Sequence, residues 1–276
     1  MVTPKPMRER LQGLGDRRRI AVIPVRGVIG GAVKTDELLR TLGTVRRTQR
    51  IRAALLEIDS PGGSASASEA LYVAVKRLAS AKPVVAWIRG TGASGAYFLA
   101  CGATRILTFP SAIVGSIGVI SIRPIAVEAL QRLGTRINVV KTGKFKDLGA
   151  PWREPTADDE AKERQLVDAI FRRFVGAVQT SRGLNDNALA RVTTGEVWLG
   201  SQAVDLKLVD AVSEHEEAAL EVAQDLAGLP HHQTVRLGPK RSLLQRLGMP
   251  GAGMGPPSER WLIELEGWLR APRVRM

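Results

Sequence analysis

Cysteine is nearly absent from this sequence. Cys101 stands alone among 276 residues, so no internal disulfide can form, and no Cys/His cluster has zinc-site spacing. The fold must rest on packing, which a hydrophobic content of 44% can supply. Histidine is almost as scarce: His215, His231 and His232 all fall late in the chain. That pattern argues against a Ser/His/Asp triad within the body of the protein and against a His-ligated catalytic metal. Aromatic residues make up only 4%, with none of the basic-aromatic interleaving that single-strand nucleic-acid binders use. Long apolar runs are also missing. The longest uncharged stretch, Ile106 to Ile122, is too short for a spanning helix and is interrupted by Pro110, Gly115 and Gly118. It reads as buried strand and turn. No transmembrane segment and no secretory signal are read, and the expected location is the cytoplasm.

Charge is plentiful but unevenly placed. The formal net charge is +13, yet residues 51–228 hold 20 Lys/Arg against 20 Asp/Glu. The excess sits in residues 1–50, with 12 against 4, and in residues 229–276, with 8 against 3. A neutral body has no bulk reason to bind a polyanion, so no nucleic-acid partner is expected. The sequence divides accordingly into a basic leader (1–18), one domain (19–228) and a basic tail (229–276). Within the tail, Trp261, Leu262, Leu265, Trp268 and Leu269 form one apolar face of a short helical pattern. Such a helix would dock on protein or lie on an anionic membrane surface, making the protein peripheral on the inner face of the cell membrane.

The body alternates strand and helix signals, which argues an α/β fold. Strands are expected at Ile20 to Val25, Ala53 to Asp59, Val84 to Ile88, Ile106 to Phe109, near Val119, and at Ile137 to Val140. Helices are expected from Ser66, where Ser66 and Glu69 form a capping box, from Ser94, over Arg123 to Leu133, and from Thr156 to a break at Gly183. Leu71, Val75 and Leu78 line one face of the first, and Leu166, Ile170, Phe174 and Val178 one face of the last. Shorter helices fill the stretch to Ala227.

Three glycine-rich segments follow strands: DSPGGS (Asp59 to Ser64), RGTGASGAYF (Arg89 to Phe98), with its turn at Gly90 to Gly92, and VGSIGV (Val114 to Val119). Ligands of open α/β sheets bind beyond such strand ends. Gly62 and Gly63 leave backbone N–H groups uncovered, as an oxyanion hole needs. Ser94 opens an apolar helix, where a serine is either an N-cap or a nucleophile near the positive end of the dipole. GxGxxG can be traced from Gly90 through Gly95, but no acidic residue follows at dinucleotide-site spacing and no Walker lysine is present. No cofactor is therefore expected. Without histidine, a base is most readily lysine, whose pKa falls on burial. The loop KTGKFKDLGAPWRE offers Lys141, Lys144 and Lys146.

Taken in order, DSPGG, GASGAY, GSIGV, KTGKFKDLGAPWRE and GEVWLGSQAVDLKLVD resemble the signal peptide peptidase A family of serine proteases, over about Ile20 to Ala227. The resemblance implies a Clp/crotonase-like fold of repeated ββα units and a Ser/Lys dyad. Ser94 would be the nucleophile, Lys146 the general base, Ser116 the residue orienting the lysine amine, and Gly63 and Gly95 the oxyanion-hole donors. It further implies homo-oligomers with active sites at subunit contacts, and peptide substrates such as remnant signal peptides. Two positions depart from the family pattern: Ala96 replaces a glycine and would narrow the pocket, and Lys207 replaces the glycine of a turn. The same fold also serves crotonase-type acyl-CoA enzymes, and a non-catalytic membrane-surface scaffold is a further alternative.

Overall fold

The computed structural model describes residues 19–231 and 233–238. The leader and the apolar tail helix expected at 259–270 lie outside the described residues. An eight-stranded sheet forms the centre: β1 (Arg19–Arg26), β2 (Ile51–Ser60), β3 (Val84–Ala93), β4 (Arg105–Thr108), β5 (Ile113–Gly115), β6 (Val197–Leu199), β7 (Ala211–Val212) and β8 (Thr234–Arg236). The helices are α1 (Thr35–Arg47), α2 (Ala65–Ala79), α3 (Gly95–Ala100), α4 (Val127–Arg132), α5 (Ala157–Arg182), α6 (Asp186–Val192), α7 (Gly200–Asp205) and α8 (Glu216–Leu226). The main path runs β6-β5-β3-β2-β1-β8, with β4 and then β7 branching from β3. All described pairings are parallel except β5 with β6.

Parallel strands covered on both faces read as continuous apolar runs, and β1 and β2 show this. Ala21, Ile23, Leu56 and Ile58 point into a core shared with α1, α2 and α3. Ile20, Val22, Ala53 and Leu55 point the other way, under Ala219, Leu220 and Ala223 of α8. One polar residue interrupts the second face. Glu57 is 2% exposed and accepts from Arg26 at 2.6 Å, Arg89 at 2.7 Å and Arg236 at 3.3 Å. Burial alone would raise its pKa, but the hydrogen bonds from Arg89 and Arg26 outweigh that and lower it. Arg236 also ties β8, which lies beyond residue 228, to the rest of the sheet.

β3 forks. Its first half, Val85 to Ile88, pairs with β4, and its last residues, Thr91 to Ala93, pair with β5. The turn expected at Gly90 to Gly92 is therefore strand. These glycines serve close approach instead: a Cβ on Gly90 would sit 2.5 Å from Asp59 Oδ1, and one on Gly92 would sit 2.6 Å from Ile88 Cδ1.

Helix α5 matches its sequence signals. Thr156 Oγ1 accepts from the Asp159 N–H at 3.2 Å, Asp159 accepts from the Thr156 N–H at 2.9 Å, and Gly183 ends the helix at φ 61°. Phe174 and Val178 are buried, whereas Leu166 and Ile170 remain exposed. Helix α2 is capped by Ser64, not Ser66, and Glu69 instead pairs with Arg173. Leu71, Val75 and Leu78 are buried as the spacing requires.

Three expectations fail between residues 116 and 150. The strand lies at Ile113–Gly115, before Ser116, and not near Val119. The helix is shortened to Val127–Arg132, because Pro124 disfavours helical geometry at Arg123. Ile137 to Val140 form no strand: with no neighbouring strand to bond, β-branched propensity alone cannot make one. Ile120 is 71%, Leu133 78% and Val140 93% exposed.

Candidate active site

The fork of β3 and β5 sets the site. Ala93 pairs with Gly115, and the next residue on each strand is a serine. The Ser94 N–H donates to the Gly115 carbonyl at 2.8 Å, and the Ser116 N–H to the Glu196 carbonyl at 2.7 Å. Both serines take left-handed backbone angles, φ 52° for Ser94 and 51° for Ser116. A non-glycine residue in such a conformation is held there by its surroundings at an energetic cost, and sites of chemistry are where this strain collects. Ser94 makes the sharp strand-to-helix turn that presents a hydroxyl. Its side chain makes no capping hydrogen bond to α3, so it is not spent as an N-cap.

The PGG turn lies against this serine. A Cβ at Gly62 would be 2.7 Å from Gly95 N and 2.9 Å from Ser94 Cβ, so only glycine admits the contact. The Ile29 N–H donates to the Gly62 carbonyl at 2.7 Å, and the Ser64 N–H to the Ile29 carbonyl at 3.0 Å. This leaves the Gly63 N–H between them unused. The Gly95 N–H, first in α3, is likewise without an acceptor among the described residues. Gly63 N lies 3.5 Å from the point a Gly95 Cβ would occupy. Two free amides therefore flank the Ser94 turn, the arrangement that stabilises a developing oxyanion.

Two supporting residues escaped the sequence reading. Ile29, in the glycine-rich loop after β1, clamps the PGG turn. Ser68 in α2 is buried, donates to the Ser64 carbonyl at 2.8 Å, and has its Oγ where a Gly95 side chain would begin. The GVIGG run directly after β1 was the available signal for the first. Ser68 lies one helical turn after Ser64, which was the signal for the second.

Lys146 is exposed and makes no hydrogen bond or ion pair among the described residues, to Ser94, Ser116 or any other group. Its sequence neighbour is firmly held. Asp147 accepts from Lys141 at 2.6 Å and from Arg153 at 3.0 Å, and these bonds lower its pKa to about 2. Arg153 also binds Asp159 at 2.5 Å. Lys144 pairs with Asp158. Two other groups that could be a nucleophile or a base are committed. Burial pushes the Cys101 thiol up to about 12, and His215 Nδ1 caps α8 by accepting from the Ala218 N–H at 3.1 Å. Ala96 is fully buried in the core. No group of His, Cys, Asp and Glu among the described residues could hold a metal ion.

The family model for Peptidase family S49 matches residues 76–229. The chain belongs to this family. Its relatives carry the same relationship. The chloroplastic serine protease SPPA of Arabidopsis thaliana is 30% identical over 235 residues, covering 81% of this chain and 34% of its own length. A Methanocaldococcus jannaschii protein provisionally named a protease is 32% identical over 200 residues, 72% of this chain and 64% of its own. The chain thus spans about two thirds of one of these relatives and one third of the other. Among solved structures, a serine-to-alanine mutant of the 1510-N membrane-bound stomatin-specific protease has a TM-score of 0.52 at 15% identity, covering 81% of this chain and 99% of that one. ClpP1 of Listeria monocytogenes gives 0.50 at 13% identity, covering 76% and 99%. The signal peptide peptidase A resemblance and the Clp-like fold are borne out, and the family is one of peptidases.

Proposed function

We propose that this S49 chain is an endopeptidase with a Ser94/Lys146 dyad, cleaving short or unfolded peptides such as remnant signal peptides. The observation that carries this reading is Ser94: left-handed, uncapped, and flanked by the free amides of Gly63 and Gly95. The neutral Lys146 amine takes the Ser94 hydroxyl proton as Oγ attacks the peptide carbonyl carbon. The oxyanion is held by the Gly63 and Gly95 N–H groups. The lysine ammonium returns the proton to the leaving amine, and water then hydrolyses the acyl-enzyme with Lys146 again as base. Ser116, which follows β5 as Ser94 follows the paired end of β3, orients the amine.

Within one chain Lys146 has no bond to either serine, and we infer that the working enzyme is a homo-oligomer in which Lys146 of one protomer serves Ser94 of another. The exposed Ile120, Ile122, Leu133 and Val140 support this, because such a concentration of apolar side chains in water marks an interface. The basic ends would hold the assembly against an anionic membrane from the cytoplasmic side, without a cofactor or a nucleic-acid partner. No described helix is long and apolar enough to cross a membrane.

The test is hydrolysis of casein and of a fluorogenic peptide with small apolar residues, by the full chain and by Ser94→Ala and Lys146→Ala, with oligomeric state measured for each. Both variants are expected to lose at least about 10³-fold in rate. Undiminished hydrolysis by either variant rules out the dyad.

A further inference from the structure

The loop that carries Lys146 holds four cations within thirteen residues: Lys141, Lys144, Lys146 and Arg153. Three have a carboxylate. Lys141 and Arg153 share Asp147, Arg153 also reaches Asp159, and Lys144 takes Asp158. Lys146 alone of the four has none among the described residues.

Asp147 is withheld by geometry. Its side chain is 8% exposed although the loop is superficial. Oδ1 accepts from Lys141 Nζ at 2.6 Å and one Arg153 Nη at 3.0 Å, while Oδ2 accepts from Arg153 Nε at 3.0 Å. The fork of the guanidinium thus engages both oxygens. Arg153 is fixed from the other side by Asp159, at 2.5 and 3.1 Å. Asp159 is in turn bound by the Thr156 N–H and hydroxyl in the capping box of α5. A continuous set of charge-assisted bonds therefore runs from the start of a 26-residue helix to the residue next to Lys146.

We propose that the Lys141–Asp147–Arg153 clamp is a positioning device that keeps Asp147 from pairing with Lys146, so that Lys146 can shed its proton. The inference rests on the reading of Lys146 as general base. A carboxylate within about 4–6 Å stabilises an ammonium and raises its pKa by about 1–3 units, which would disarm the base near neutral pH. With Asp147 committed to two other cations, that stabilisation is cancelled. The charged groups in play are Lys141, Lys144 and Arg153 on the loop, with Asp158 and Asp159 on α5.

The experiment is the pH dependence of kcat/KM for the full-length oligomer. Arg153→Gln frees Asp147 towards Lys146, so the acid limb is expected to move up by about one pH unit. Lys141→Met, which leaves Arg153 in place, is expected to move it the same way by less. Asp147→Asn leaves Lys141 without its carboxylate and Arg153 with Asp159 alone, and is expected to move the limb down, with a lower kcat from the loosened loop. Arg153→Lys should restore part of the wild-type profile. Melting temperature and oligomeric state, measured for each variant across the same pH range, separate these shifts from unfolding. If Lys146→Ala is inactive while the limbs of the clamp variants stay where they were, the clamp is only structural and this inference fails alone. If Lys146→Ala is active, the base assignment fails and takes the inference with it.

Discussion

The two halves of the proposed dyad are held by opposite kinds of physics. Ser94 ends a strand in the middle of the sheet, with Ala93, Gly95 and Ala96 buried and its backbone angle imposed by neighbours on three sides. Lys146 sits on a strap, residues 116–155, that contributes no strand, buries Ile117 but leaves Ile120, Ile122, Leu133, Val140 and others exposed, and is tied down chiefly by ion pairs. Packing locates the serine within the chain, whereas charge holds the lysine loop in shape. Among the described residues the serine's surroundings are packed, whereas Lys146 has no partner.

The sharpest way to break the rigid half is Gly95→Ala. Its methyl would overlap Ser68 Oγ, displace an oxyanion donor, and is expected to lower kcat by about 10²- to 10³-fold. Ser68→Gly in the same chain should recover part of that loss, and a double-mutant cycle of kcat/KM measures the coupling. Next comes a pair of apolar truncations compared by chemical denaturation. Leu56→Ala, in the buried sheet, should cost about 2–5 kcal/mol. Val140→Ala, on the strap, should stay within about 0.5 kcal/mol for the isolated protomer. Equal losses would mean that the strap is packed as the sheet is.

Acid should separate the halves without mutation. The folded pKa of Asp147 is depressed to about 2, below the usual value of about 3.9. Its contribution is present in full above the unfolded value and is lost as pH falls from about 4 towards about 2. Hydrogen exchange is expected to rise first at 141–153 while β1 to β3 stay protected. Simultaneous loss of protection in both would contradict an ion-pair-held strap. The smallest effect is expected at Lys207, an exposed residue at φ 58° whose carbonyl accepts from Arg182. Lys207→Gly relieves the left-handed angle and should stabilise by about 1 kcal/mol, read as a higher melting temperature.

The same contrast explains what could be read from the sequence. Where one chain determines its own structure, the signals were sufficient: the Thr156/Asp159 box, Gly183 as terminator, the apolar runs of β1 to β3, and the glycines of DSPGG. Lys207, which the family resemblance marked as standing where a glycine is usual, does take a left-handed angle. Helix α1 was passed over although Leu38, Leu42 and Val45 recur at helical spacing, because its N-cap, Lys34, gives no capping signal. The Ser66/Glu69 pattern misled because Ser64 stands two residues earlier with the same chemistry. The strap failed most completely. Its isoleucines and valines look like strand, yet a strand needs a neighbour, and no described residue supplies one.

The exposed side chains of the strap have a last consequence, for how the protein would behave when diluted. In the proposed oligomer, a protomer that carries Ile122 and Val140 in water would gain by meeting another copy, and that gain depends on how many copies are present. Specific activity would then rise with protein concentration and fall away on dilution. Abundance would regulate proteolysis: scattered protomers would be inert towards the peptides around them, and a crowded surface would switch them on.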